Sequence, residues 1–419
     1  MRDRLVALLL CAAMLFTFGA TANQAEQVFK EYSSALVQIK SINIKSGQKS
    51  SIGTGFFIDQ GGVIVTNYHV VSSFVQDPDK YRLEFIDKNE LNFPVTVLAV
   101  DVVNDLALLK SQDTPEIKFT LAQQPPIKGE GLFALGNPHD LGMIVVPGTY
   151  NGIKQNSFYQ RIHFTGSINP GMSGGPTVNQ AGSVVGINVA TAGNQIGFLV
   201  PVEKLWQLIE KHQNSESNLD LIADIREQLV ENQDKLYADL LTSNWEIGEL
   251  GNAKVPNKIA RIMPCWGDSN KQKNKVLFTQ ASANCSLGES VYLSGEHSTG
   301  YAQLGFSWIQ SNKLSQMQLS QLYEVNFNSR YSSNNAGTDD ISNYHCSESL
   351  VENAQAEKIK SSTCVRAYRK YSGLFDVTYS SVMLGKSHQA LIAKYVLQGV
   401  TEQTANQFYQ KFVEHVSWN

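Results

Sequence analysis

Between Ala35 and Pro201 the chain is written almost entirely in short β-branched and aromatic runs cut by glycine and proline. Six come first: "ALVQIKSI", "GTGFFID", "VIVTN", "YRLEFI", "FPVTVLAV" and "LALLK". After the connection "AQQPPIKGE" come six more: "GLFALG", "MIVVPGTY", "RIHFTG", "GPTVN", "SVVGINVA" and "IGFLVP". Runs of this composition, bounded by turn residues, read as strands. Helical periodicity is almost absent among them, and two sets of six antiparallel strands suit a pair of barrels. A fold that alternates strands with helices has nowhere to place its helices here.

The period then changes. "VEKLWQLIEKH" (202–212) and residues 219–241 carry apolar residues at three- and four-residue spacing, with Ile222, Ile225, Leu229, Leu236 and Leu240 on one face. That pattern is an amphipathic helix, and "QNSESN" between the two is a hinge. From Trp245 onward the chain is mixed, with strands such as "KVLFTQA", "SVYLSG" and "LFDVTYSSVML" and a terminal helix bearing Phe408, Phe412 and Val416 on one face. The fold class expected is mainly β: a double six-stranded antiparallel barrel, a helical segment, and a mixed α+β C-terminal domain. The expected boundaries are 1–22, 23–212, 213–244 and 245–419.

The first of these is a targeting segment. Arg2 and Arg4 precede an apolar run ending in Ala20-Thr21-Ala22, the pattern of a secretory signal cut after Ala22. The run is shorter than the roughly 20 residues that a membrane span requires, so no stable span is expected once the signal is removed. The expected location is periplasmic or extracellular. Four cysteines then remain, Cys265, Cys285, Cys346 and Cys364. An even number in an exported chain reads as disulfides. Three pairings are open, and nearest-neighbour bridges, Cys265–Cys285 and Cys346–Cys364, are the expectation. None of them sits in a CxxC knuckle, which disfavours zinc. A formal net charge of -4 argues against nucleic acid as the main partner.

The chemistry centres on "INPGMSGGPTVN" (168–179), where Ser173 lies in a G-x-S-x-G pattern that two unrelated kinds of serine enzyme share. A serine hydroxyl needs an imidazole to take its proton, and the imidazole needs a carboxylate to hold its tautomer. Upstream, "TNYHVV" places His69 at the end of a strand, and "VVNDLALLK" places Asp105 immediately before another. The order His–Asp–Ser is satisfied, with Ser173 in the second barrel and the other two in the first.

Six segments in order, "GTGFFID", "GVIVTNYHVV", "NDLALLK", "ALGNP", "INPGMSGGP" and "IGFLVP", resemble the HtrA/Deg branch of chymotrypsin-fold serine proteases over somewhat under half of the chain. The resemblance implies that His69 is the general base, Asp105 its orienter and Ser173 the nucleophile. It implies an oxyanion hole from the N–H groups of Gly171 and Ser173. It also implies a substrate pocket with Ser167 at its base and Val189 and Ala190 as walls, suited to small or medium aliphatic residues. The activity implied is hydrolysis of polypeptide substrates without metal or organic cofactor, with a role in protein quality control. Met172 departs from the pattern, since this branch more often has Asn there and trypsins have Asp. Order in the 169–173 loop must then come from neighbouring loops, substrate or the accessory domain. No carboxylate-binding "GLGF"-type loop follows, so no PDZ domain is assigned. An exported binding or chaperone-like protein with an inactive protease domain is the competing reading, and oligomeric state is not legible.

Overall fold

A computed structural model describes residues 20–191, 196–215, 220–270, 276–329, 336–352, 358–384 and 388–418. The expected signal run lies outside these residues, and the expected cut after Ala22 falls in the first turn of helix α1 (Ala20–Tyr32). The chain divides into two compact units, the described residues of 20–155 and 160–221, and those of 156–159 and 222–418.

The first unit is two closed antiparallel barrels. β1 (Leu36–Asn43), β2 (Lys49–Phe57), β3 (Val63–Thr66), β4 (Tyr81–Ile86), β5 (Asn92–Asp101) and β6 (Leu106–Ser111) close in the order β1-β2-β3-β6-β5-β4. β7 (Gly131–Gly136), β8 (Ile144–Ile153), β9 (Ile162–Phe164), β10 (Pro176–Val178), β11 (Val184–Thr191) and β12 (Gly197–Pro201) close as β10-β11-β12-β9-β8-β7. All twelve runs read from the sequence are strands. A barrel leaves no unpaired edge, and its alternate residues fill the interior. One apolar cluster, including Phe56, Val65 and Leu108 of the first barrel and Leu132, Phe164 and Val184 of the second, packs the two together. Helix α3 (Val202–Gln213) adds Val202, Leu205 and Leu208 to it.

Among the described residues the near-absence of α-helix in this region has one exception. Residues Tyr68–Gln76 form helix α2, with Tyr68, Val70, Val71 and Val75 buried. A short apolar run buried all round carries no period that separates helix from strand.

The second unit begins with α4 (Leu221–Thr242), whose Leu236, Tyr237 and Leu240 join Phe408 and Phe412 of α6 (Glu402–Glu414) in one core. β13 (Glu246–Leu250), β14 (Ala253–Lys258) and β24 (Ser417–Trp418) make a small sheet. The main sheet holds β15 (Cys265–Ser269), β16 (Thr279–Ser286), β19 (Ala302–Gln310), β20 (His345–Glu352), β21 (Lys358–Ala367), β22 (Phe375–Leu384) and β23 (Gln389–Val400), in the order β15-β16-β19-β23-β22-β21-β20. β17 (Val291–Ser294) and β18 (His297–Thr299) form a hairpin, and α5 (Gln316–Asn328) is capped by Ser315. The run "KVLFTQA" is a strand only from Thr279 onward. No helix among the described residues is long and apolar enough to cross a membrane.

Cys265–Cys285 bridges β15 to β16, and Cys346–Cys364 bridges β20 to β21. Each pair is directly cross-strand, with Cα atoms 4.0 Å apart. Replacing both cysteines of the first bridge by alanine should cost about 3 kcal/mol, since it reopens a loop of similar length to those that give this value. The second bridge should cost less, because β20 is exposed along its whole length while Cys285 is fully buried in the core. Denaturant midpoints followed by tryptophan fluorescence measure both. Equal losses would show that edge exposure does not set the cost.

Candidate active site

β3 ends at Thr66, and Asn67 turns the chain into α2, so His69 stands in that helix's first turn rather than at a strand end. Its Nδ1 lies 2.7 Å from Asp105 Oδ2, and its backbone N–H donates to Asp105 Oδ1 at 2.8 Å. A carboxylate only accepts, so Nδ1 carries the ring proton in the neutral tautomer and the basic lone pair is on Nε2. Burial acts to lower the imidazole pKa, but the charge of Asp105 and its hydrogen bond outweigh it and hold the group above its ordinary value of 6.5.

Asp105 occupies the turn between β5 and β6 with φ of 62°, a left-handed conformation that aspartate tolerates better than most residues. Two neighbours fix it there. Asn67 Nδ2 donates to the Asp105 carbonyl at 2.7 Å. Asn104 donates through its backbone N–H (2.8 Å) and its amide (2.7 Å) to the carboxylate of Asp101, closing the turn just before Asp105. Burial pushes the Asp101 carboxyl upward, against those bonds.

Ser173 lies in a loop held from several directions. Thr54 of β2 donates through Oγ1 to the Gly171 carbonyl at 2.7 Å, and its N–H donates to the Ser173 carbonyl at 2.8 Å. Asn188 of β11 donates to the carbonyls of Leu135 (2.9 Å) and Met172 (3.2 Å), while the Gly174 N–H donates to the Asn188 carbonyl at 2.9 Å. Met172 is fully buried within the apolar cluster. Glycine is required at two places. Gly171 has φ of 95° and a Cβ there would stand 2.3 Å from the Asn137 carbonyl oxygen; Gly174 has φ of 84° and a Cβ would stand 2.3 Å from Thr54 O. Order in this loop therefore comes from the barrels themselves.

Among the described residues the N–H groups of Gly171 and Ser173 donate to no protein acceptor. The Pro170 carbonyl accepts from His139 N–H at 2.8 Å. Because a peptide is planar and trans, fixing that carbonyl turns the Gly171 N–H the opposite way, unpaired. Among the described residues Ser173 Oγ makes one contact, at 3.5 Å with the Val189 carbonyl.

Ser167 is exposed and Val189 half-buried; Ala190 lies in β11, and its side chain is outside the described residues. Ile168, buried, fills the space that a Cβ on Gly197 would need, 2.7 Å from its Cγ1. The residues that the sequence reading did not single out are Thr54, Asn67, Asp101, Asn137, Ile168 and Asn188. Five of these six are polar, and their only signal was a polar side chain inside or at the end of an otherwise apolar run.

Residues 53–187 match the trypsin-like peptidase domain. The barrel unit is a trypsin-like, chymotrypsin-fold peptidase domain, and it is similar to serine proteases of the HtrA/DegP branch. A probable periplasmic DegP-like serine endoprotease of Chlamydia pneumoniae is 35% identical over 161 residues, 36% of this chain and 32% of that protein. Serine protease HTRA4 of Mus musculus is 33% identical over 174 residues, 39% of this chain and 35% of that protein. The chain thus spans about a third of the length of these relatives. A solved serine endoprotease from Yersinia pestis is 25% identical, covering 45% of this chain and 66% of that one at a TM-score of 0.39.

In the peptidase domain, Thr54→Val keeps the shape of a fully buried side chain but strands the Asn137 N–H, which now donates to the hydroxyl at 3.0 Å, and the Gly171 carbonyl. Each buried orphan costs about 1–3 kcal/mol. Denaturation should register at least one such loss; unchanged stability would mean that water or a rearranged loop satisfies both.

Proposed function

We propose that this chain is an exported serine endopeptidase that cleaves polypeptides through an acyl-enzyme on Ser173. The observation that carries the reading is the Asp105 carboxylate, bonded at once to the ring and the backbone of His69. It stands in the same peptidase domain as a serine whose loop is fixed by Thr54, Asn188 and Met172. The name of the DegP-like relative supports export, and the resemblance to that branch supports a role in protein quality control.

Ser173 Oγ leaves its weak contact with Val189 and attacks the scissile carbonyl while His69 Nε2 accepts its proton. Asp105 keeps Nδ1–H directed and stabilises the imidazolium that forms. The tetrahedral oxyanion takes the N–H groups of Gly171 and Ser173, each such donor supplying about 3 kcal/mol in well-studied proteases. His69 then protonates the leaving amine, and water, deprotonated by the same ring, releases the acyl group. Uncharged Ser167 and half-buried Val189 suit a small or medium aliphatic residue at the cleaved position.

A fluorophosphonate probe should label the purified protein, and Ser173→Ala should abolish both labelling and casein cleavage. An unlabelled but folded parent would favour the binding or chaperone-like reading; strict cleavage after Arg or Lys would reject the pocket assignment. Activity requires neutral His69, whose pKa lies above 6.5, so kcat/KM should fall as pH drops through a value above that figure. Stability runs the other way. A raised folded-state pKa gives a contribution complete below the unfolded value and lost as pH rises through the folded one. An acid limb below pH 6.5 would show that burial outweighs the Asp105 pairing in setting the pKa.

A further inference from the structure

Immediately after β7, two consecutive non-glycine residues adopt the left-handed conformation: His139 with φ of 52° and Asp140 with φ of 62°. Such residues persist only where their surroundings over-determine them. Here the surroundings are the first barrel. Gln38 of β1 donates to Asp140 Oδ1 at 2.7 Å, and Lys49 of β2 donates to Oδ2 at 2.6 Å. These two bonds also hold the Asp140 carboxyl below its ordinary pKa, that from Lys49 first. Gly142 N–H donates to Asn137 Oδ1 at 2.9 Å and closes the turn from the other side.

The turn delivers one group to the site. His139 N–H meets the Pro170 carbonyl at 2.8 Å, and that carbonyl sets the direction of the Gly171 N–H through the peptide plane. A β-carbon on Gly171 would stand 3.0 Å from His139 N, so the turn also limits how far Gly171 can swing. We infer that Asp140 is a positioning residue for catalysis: tethered to Gln38 and Lys49, it holds His139 N–H against Pro170 and so aims the Gly171 N–H at the oxyanion. The inference rests on the reading of Ser173 as nucleophile. Exposed ion pairs contribute little to stability, and Lys49 and Asp140 are each nearly half exposed. The tether's effect therefore belongs in turnover, not in folding.

The test uses the full mature chain, labelled casein and a fluorophosphonate probe. Asp140→Ala should lower kcat about 10- to 100-fold, as expected for a small misplacement of a catalytic donor, with KM within about twofold. Probe labelling should slow in parallel, because the phosphoryl oxygen uses the same donors, while the thermal midpoint stays within about 2 °C. Asp140→Asn, which tolerates the left-handed backbone and still accepts one hydrogen bond, should recover most of the rate. Asp140→Gly, which removes strain and tether together, should not. Lys49→Met, on an exposed side chain, should give an intermediate loss. Parent rates in Asp140→Ala or Asp140→Gly would overturn the inference, as would a loss matched by an equal fall in thermal midpoint that Asn fails to recover. A parent that neither labels nor cleaves would instead overturn the reading of Ser173, a distinct result because every variant would then be silent.

Discussion

Thr54 is the point at which the two barrels share one set of hydrogen bonds. Its N–H, carbonyl and hydroxyl are all engaged: by the Ser173 carbonyl, by Thr66 Oγ1, and by the Gly171 carbonyl together with Asn137 N–H. A single buried residue of β2 therefore touches the serine loop, the turn after β7 and the strand end that leads to His69. Buried polar groups without partners are expensive, so these segments cannot move independently. The close approach of Gly174 to Thr54 and to Asn67 N follows from the same constraint.

The two halves of the proposed catalytic apparatus are held by different physics. His69 is placed by a charge, since Asp105 binds it through two carboxylate oxygens and raises its pKa. The serine and Met172 are placed by neutral hydrogen bonds and by burial, with the charged Lys49–Asp140 tether set back from them behind His139. Neutral bonds do not titrate, and the Asp140 carboxyl is held below its ordinary range by Lys49 and Gln38, so the loop's geometry is independent of the protonation that governs His69. The acid limb of activity then reports one group rather than a collapse of the site.

The barrels were legible because their strands alternate or are cut by glycine and proline, and the order His69, Asp105, Ser173 was legible because each sits in a distinctive local context. What escaped was non-local. Thr54, Asn137 and Asn188 matter through partners 53 to 117 positions away, and no local period reports that. α2 escaped because Tyr68–Gln76 is apolar on several sides. In the second unit the central strand β23 is buried at nearly every position, a pattern that a buried helix shares, and β20 is exposed at every position, which gives no pattern at all. The cysteines were the exception: they lie opposite one another on adjacent strands, where near neighbours in sequence are also near neighbours in space.

Met172 stands where a carboxylate orders the loop in trypsins, and the change alters what the loop requires. A buried carboxylate needs a cation beside it, because an unpaired buried charge is strongly destabilising. A buried thioether needs only a cavity of fitting shape, and burying a side chain of this size contributes about 1.5–3 kcal/mol. The cavity is provided by Gly136 at the end of β7, whose missing side chain leaves the space that Met172 Cα and Cβ occupy; a β-carbon there would stand 2.8 Å and 2.9 Å from them. Leu135 and Asn188 close the same pocket through the bond that carries Asn188 onward to the Met172 carbonyl. "ALGN" and "GMSGG", whose first residues are 37 positions apart in sequence, are thus one packing unit, large against small, and it seats Met172 without a buried ion pair.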